Sequence, residues 1–136
     1  MKSLIISNSD VGGGAAIAGY RLHEGLRRIG RASGMLVREK LSADADVHLW
    51  AKERDESQRW LDNLTDDLRL KARTPLSTTY FSLPWPGEDV CGHDLVSEAE
   101  VINLHWVGHF VSPEGLRSLL PVSYTHLRAH ETGRNL

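Results

Sequence analysis

The feature that most constrains the fold is a strand, glycine turn, helix and strand in succession near the N-terminus. The apolar run Leu4–Ile6 predicts a buried β-strand, because short runs rich in β-branched residues are typical of parallel strands. A turn follows with three consecutive glycines, Gly12–Gly14, and then a helix over Ala15–Gly30. Gly34–Arg38 predicts a second strand. This order predicts a βαβ unit and therefore a parallel sheet.

The helical stretch has apolar residues at spacings of three and four. These spacings predict that one helix face packs on the sheet, and the residues on it are Ala15, Ala18, Leu22, Leu26 and Ile29. Gly30 is expected to follow the C-cap, where glycine accepts a left-handed backbone conformation.

The rest of the chain predicts fewer regular elements. Leu41–His48 is polar and is expected to be a loop, and Trp50–Arg73 is predicted to be helical. Leu76–Val96 is predicted to be irregular, with Ser77–Phe81 as a candidate short strand, and Ser97 is expected to cap a short turn that leads to Ala99. Glu100–Val107 predicts a third strand. Ser112 is then expected to cap a helix that has proline at its first position. The predicted fold class is α/β, a partial Rossmann-like parallel sheet in three α/β/α layers.

Composition excludes several functional classes. The 136 residues are 40% hydrophobic and 25% charged, which is typical of one globular domain. No apolar run approaches the ~20 residues that span a bilayer. The net charge of −2 gives no indication of a nucleic-acid partner. The single cysteine, Cys91, has no partner for an internal disulfide, which favours a reducing compartment.

The glycine turn is a candidate anion site. Backbone amides at the start of a helix point outward, and the helix dipole favours negative charge there. Gly12, Gly13 and Gly14 are the predicted phosphate-binding residues. A dinucleotide fingerprint would need a small residue where Ile17 stands, and a nucleotide P-loop would need lysine after Gly14. The alternative is that the glycines only allow the helix to pack closely against the strand.

Three other residues are candidates for a ligand cleft. His105 and Trp106 end the third predicted strand at the carboxyl edge of the sheet, where α/β proteins bind ligands. Trp106 is a candidate for stacking on a ligand, and the alternative is that the pair packs under the following loop. Asp10 is expected to line the cleft or to position the glycine turn through side-chain hydrogen bonds. No histidine or cysteine spacing predicts a metal site.

Two stretches of the sequence resemble family 4 glycosyltransferases, in the branch that makes surface polysaccharides. The first comprises Asp10–Ala16, with its glycines, and the helical Ala18–His23 containing Tyr-Arg-Leu-His. The second is Ala99–Val107, whose Leu-His-Trp is similar to a strand of that branch. Pro121 matches the proline that opens the next strand of the family.

The resemblance implies two Rossmann-like lobes facing a cleft, the GT-B arrangement. The N-terminal lobe would bind a saccharide or lipid-linked acceptor, and its glycine turn would approach the diphosphate of a nucleotide-sugar donor held by the other lobe. The reaction it implies is hexose transfer with retention, without a cofactor or metal. The implied location is cytoplasmic, with peripheral association at the inner face of the membrane as an alternative.

The resemblance also implies that the catalytic residues lie downstream of Pro121. The present chain is therefore expected to be inactive although its parent enzyme would be active. The alternative from a different class is a non-catalytic, phosphate-recognising α/β binding module.

The C-terminal stretch has a different character from the rest. Val122–Thr132 resembles an in-frame translation of a sequencing adapter, and Gly133–Leu136 is what a sample index and further adapter bases would encode. Such segments are excluded from fold reasoning. The predicted organisation is a truncated N-terminal domain over 1–121 and a non-native tail over 122–136. The alternative for the tail is a genuine polar C-terminal segment.

Overall fold

The computed structural model describes residues 2–50, 56–71, 74 and 87–120. Within these ranges lie four strands and four helices. In chain order they are β1 (Ser3–Ser9), α1 (Gly14–Arg28), β2 (Ser33–Glu39), β3 (Val47–Leu49), α2 (Glu56–Lys71), α3 (Asp94–Ser97), β4 (Val101–His105) and α4 (Pro113–Leu119).

The strands form one parallel sheet in the order β3-β2-β1-β4. Ile5 of β1 is aligned with Met35 of β2 on one side and with Asn103 of β4 on the other. The sheet and its flanking helices confirm the predicted α/β class as a partial Rossmann-like fold. The βαβ unit predicted from the N-terminal pattern is formed by β1, α1 and β2.

The two faces of the sheet have separate cores. Leu4 and Ile6 of β1 belong to a buried cluster with Phe110 and with Leu119 of α4. Ile5, which alternates with them, belongs to a second cluster that includes Met35, Val37 and Val47 and is covered by Tyr20 of α1. The alternation follows from the strand period of two, which sends successive side chains to opposite faces.

The buried face of α1 differs from the predicted one. Its buried residues are Ala16, Gly19 and His23, whereas Leu22 is 36% exposed and Ile29 is 71% exposed. A Cβ placed on Gly19 would lie 3.3 Å from the His105 ring and 3.4 Å from Ile5. The helix therefore approaches the sheet through its small residues. The prediction from large apolar side chains selected the adjacent face and was wrong.

Two further predictions are corrected and two are confirmed. Part of the predicted polar loop forms the short strand β3, because the amide of Met35 pairs with the carbonyl of Asp46 and starts a new ladder. Ser97 ends α3, and His93 caps it by accepting a hydrogen bond from the amide of Leu95.

The predicted cap at Ser112 is confirmed, because the Ser112 hydroxyl accepts a hydrogen bond from the amide of Gly115. The prediction for Gly30 is also confirmed, since it follows the C-cap of α1 with φ of 73°.

Some predictions fall on residues outside the described ranges. The proposed non-native tail over 122–136 is one of them, and the predicted irregular stretch is described only from Gly87 onward. The predicted helix over Trp50–Arg73 corresponds to α2. None of the described helices is long and apolar enough to cross a membrane.

Candidate anion-binding site at the glycine turn

The ends of β1 and β4 meet at a switch point of the sheet. The chain leaves β1 for α1, which packs on the face that carries Ile5. After β4 it leads to α4, whose Leu119 packs with Leu4 and Ile6 on the opposite face. Neighbouring strands here send their connections to opposite faces, and open α/β sheets bind ligands at the carboxyl ends of strands arranged in this way. The glycine turn and Trp106 both lie at this edge.

The glycine turn is fixed by local geometry. The Ser9 hydroxyl accepts a hydrogen bond of 3.1 Å from the amide of Gly12, and a Cβ on Gly12 would lie 2.9 Å from that hydroxyl oxygen. Gly13 has φ of 93°, which side chains disfavour. Two of the three glycines are thus needed by the turn itself.

The first amides of α1 have no acceptor within the described part of the chain. The amide of Ile17 is the first to donate into the helix, to the carbonyl of Gly13 at 3.0 Å. No side chain caps the helix, and the amides of the preceding residues, Gly13–Ala16, donate to no other described residue. All three glycines are exposed. Unbonded amides at a helix N-terminus form a site suited to an anion.

Asp10 positions the glycine turn through hydrogen bonds to the loop after β2. Its side chain is 0% exposed, and it accepts hydrogen bonds from the amides of Leu41 at 2.9 Å and Ser42 at 2.8 Å. Burial by itself raises the pKa of Asp10, but the bonds from the Ser42 side chain and from the amides outweigh it and lower the pKa. Asp10 therefore ties the loop after β2 to the glycine turn. The sequence predicted a positioning role but did not indicate the partners.

Asp44 holds the same loop against α1. Its carboxylate accepts a 3.1 Å bond from the Tyr20 hydroxyl and two bonds from Arg27, the shorter at 2.9 Å. The amide of Asp46 contributes most to lowering the pKa of Asp44, and partial burial opposes it. The sequence analysis missed Asp44, since only its position in a polar loop was visible.

His23 lies beneath this group. Its side chain is fully buried, with Nδ1 at 2.9 Å from the Ser33 hydroxyl and Nε2 at 3.6 Å from the Asp44 carboxylate. Burial lowers the pKa of His23 despite the nearby Asp44. Tyr20 and His23 of the Tyr-Arg-Leu-His stretch therefore provide packing and loop contacts.

The structure places the adjacent residues His105 and Trp106 in different environments. His105 is 9% exposed and packs under Gly19, whereas Trp106 is 52% exposed. The carbonyl of Trp106 accepts a 3.1 Å bond from the amide of Asn8, which keeps Trp106 beside the end of β1. Of the three predicted cleft residues, only Trp106 has a side chain open to a ligand. The assignments of Asp10 and His105 to a cleft stay predictions.

The site combines the unbonded first amides of α1 with the exposed indole of Trp106. Among the described residues there is no group of three or more histidine, cysteine or acidic side chains placed to hold a metal ion. Sequence reasoning also missed Arg38, whose guanidinium donates to the carbonyl of His109 and lies 3.9 Å from Asp62. A cation directly after the apolar run Met35–Val37, near the carboxyl edge of the predicted sheet, was the signal that could have indicated it.

Comparison with known proteins found no matching family model, no similar curated protein and no similar solved structure.

Proposed function

We propose that this domain is the acceptor-side lobe of a nucleotide-sugar-dependent glycosyltransferase and that its glycine turn receives the donor diphosphate. The observation that carries the proposal is the set of unbonded amides over Gly13–Ala16 at the switch point of the sheet. A diphosphate supplies the acceptor oxygens that such amides require. The sequence resemblance supplies the reaction class.

The space around Gly14 supports the same assignment. A Cβ at this position would meet no atom within 4 Å, and its φ is not in the left-handed region. Neither packing nor backbone conformation therefore requires glycine here. Close approach of a ligand is a reason for glycine that remains.

In the proposed reaction the bond between the sugar C1 and the donor phosphate oxygen breaks. A new bond forms between C1 and a hydroxyl oxygen of a saccharide or lipid-linked acceptor, and the proton of that hydroxyl passes to the leaving diphosphate. The glycine amides stabilise the charge that develops on the leaving diphosphate. In the GT-B arrangement that the sequence resemblance implies, the catalytic groups and most donor contacts belong to a second lobe. We place the enzyme in the cytoplasm, in keeping with its lone Cys91.

Titration of the ¹⁵N-labelled chain tests the proposal. UDP-glucose, GDP-mannose and inorganic pyrophosphate are added separately, and backbone amide shifts are followed by NMR. We expect all three to shift the amides of Gly13–Ala16, with the nucleotide sugars causing further shifts toward Trp106. If pyrophosphate alone acts and neither nucleotide sugar does, the phosphate-recognising binding module replaces the transferase. If none shifts these amides, no anion site exists here.

Two glycine variants of α1 separate binding from folding. Gly14→Ala and Gly25→Ala each add a methyl group that meets no neighbour within 4 Å. Each is expected to raise the free energy of unfolding by about 0.5–1 kcal/mol, because alanine is favoured over glycine in helices. Only Gly14→Ala should weaken pyrophosphate binding, since its methyl group occupies the anion site. Equal affinity in both variants would contradict the assignment.

A further inference from the structure

The loop after β4 has an unusual backbone. Trp106 has φ of 35° and His109 has φ of 66°, and they are the only non-glycine residues with positive φ in the described ranges. Side chains disfavour this region, so such residues persist only where their surroundings hold them. Two such residues within four positions indicate that contacts with the rest of the fold hold this loop in its conformation.

Each of these residues is held through its carbonyl group. The Trp106 carbonyl accepts from the amide of Asn8 in β1, and the His109 carbonyl accepts from the guanidinium of Arg38 at the end of β2. Between them the Val107 carbonyl accepts from Phe110 at 3.0 Å. The loop is thus fixed from two neighbouring strands.

The result of this geometry is a half-exposed indole in a fixed place. Phe110, four residues further on, is fully buried and anchors the loop in the core, while Trp106 stays 52% exposed. The bond between Asn8 and Trp106 places it at the strand end from which the glycine turn begins. An indole is a large, flat apolar surface that binds rings by stacking, and about half of this residue is exposed at the strand end that carries the glycine turn.

We propose that Arg38 is a positioning residue that holds His109 in its left-handed conformation and thereby fixes Trp106 as the stacking surface for a pyranose ring of the acceptor. The substrate class rests on the proposed function. A pyranose has one face rich in C–H groups, which suits the indole, and its hydroxyl groups stay hydrated at an open edge. The aromatic surface and the anion site would then hold acceptor and donor phosphate side by side.

The first test follows the indole ¹⁵N resonance of Trp106 during titration of the full chain with methyl hexopyranosides and cello- or malto-oligosaccharides. We expect a saturable shift, and Trp106→Ala should weaken saccharide binding about tenfold, the scale of one aromatic stacking contact. Trp60→Ala is the matched control, because Trp60 on α2 is 62% exposed and should leave binding unchanged. Absence of a saturable shift, or an equal loss in both variants, would overturn the proposal. A response to UMP without any response to saccharides would also overturn it, in favour of a nucleobase surface.

The second test separates positioning from direct contact. Arg38→Met should reduce saccharide affinity several-fold and move the Trp106 indole resonance in the free protein. Glycine adopts positive φ readily, so Arg38→Met combined with His109→Gly should recover the resonance and much of the affinity. If the second substitution recovers neither, Arg38 does not act through His109.

The two proposals fail in distinguishable ways. Shifts at Gly13–Ala16 with pyrophosphate but none at Trp106 with saccharides would leave the anion site standing and remove the stacking surface. Saccharide binding at Trp106 without phosphate binding would remove the donor assignment and, with it, the identification of the sugar as an acceptor.

Discussion

At the scale of single residues, Asp10 organises the turn after β1 through the hydrogen bonds of its carboxylate. The sequence places it between a strand and a glycine turn, which is a common position for a residue that organises a turn. The structure turns its oxygens toward the amides of Leu41 and Ser42. Burying a carboxylate costs a large free energy unless its oxygens accept hydrogen bonds, as both oxygens of Asp10 do here. Asp10 therefore sets the position of the turn.

We expect Asp10→Asn to destabilise the protein by about 2–3 kcal/mol at neutral pH. The asparagine NH₂ group replaces one carboxylate oxygen, so one of the two loop amides loses its acceptor and faces another donor. Since the folded state lowers the pKa of Asp10, its contribution is full above the ordinary value of 3.8 and is lost as the pH falls through the lower folded pKa. The difference between wild type and variant should then shrink. Urea unfolding at several pH values measures it.

Asp46→Asn is the control for this prediction. The Asp46 side chain is 52% exposed and forms an ion pair with the half-exposed Arg27, so its loss should change stability little. An Asp10→Asn variant as stable as this control at every pH would show that the bonds of Asp10 contribute nothing.

At the scale of elements, the loop from Lys40 to Asp46 is the least expected part of the structure. It runs from β2 to β3 and is held by Asp10 at one end and by Asp44 at the other. Asp44 connects it to α1 through Tyr20 and Arg27. The helix, the loop and the glycine turn consequently form one unit, which keeps the first amides of α1 in place.

A graded pair of variants tests the contact between loop and helix. Tyr20→Phe removes one hydroxyl donor and should cost about 0.5–1.5 kcal/mol. Asp44→Ala also leaves the Asp46 amide without its 2.9 Å bond and should cost about 2–3 kcal/mol. The Arg27 part is small, because the Arg27 side chain is 43% exposed. Urea midpoints at pH 7 measure both changes, and an effect of Tyr20→Phe larger than that of Asp44→Ala would contradict this order.

At the scale of the whole molecule, stability is concentrated in the centre of the sheet. Ile5 and Ile6 of β1 and Leu36 of β2 are 0% exposed, and they contribute to both cores. In contrast, α2 exposes Trp60, Leu68 and Leu70 by half or more. Where few apolar side chains are buried, the backbone hydrogen bonds of an element open at a low free energy, and α2 is such an element.

Native-state hydrogen exchange should follow this distribution. We expect the slowest amides in β1 and β2, with opening free energies equal to that of global unfolding, and much faster exchange in α2. Mass spectrometry of peptic peptides or NMR measures the rates. Protection of α2 equal to that of β1 would show that α2 is part of the central cooperative unit.

The sequence by itself determined the features that depend on near neighbours along the chain. The strand at Leu4–Ile6, the glycine turn, the C-terminal glycine of α1 and the cap at Ser112 each follow from side chains within a few positions, where backbone preferences decide. The parallel sheet followed from their order.

Only the tertiary structure decided which groups meet across the chain. The face of α1 that contains Gly19 packs on the sheet, because His105 and Ile5 lie too close to Gly19 for a larger side chain. Asp10 finds its partners about thirty residues away, and neighbouring His105 and Trp106 take opposite environments. These outcomes depend on packing between elements distant in sequence, and local patterns do not contain that information.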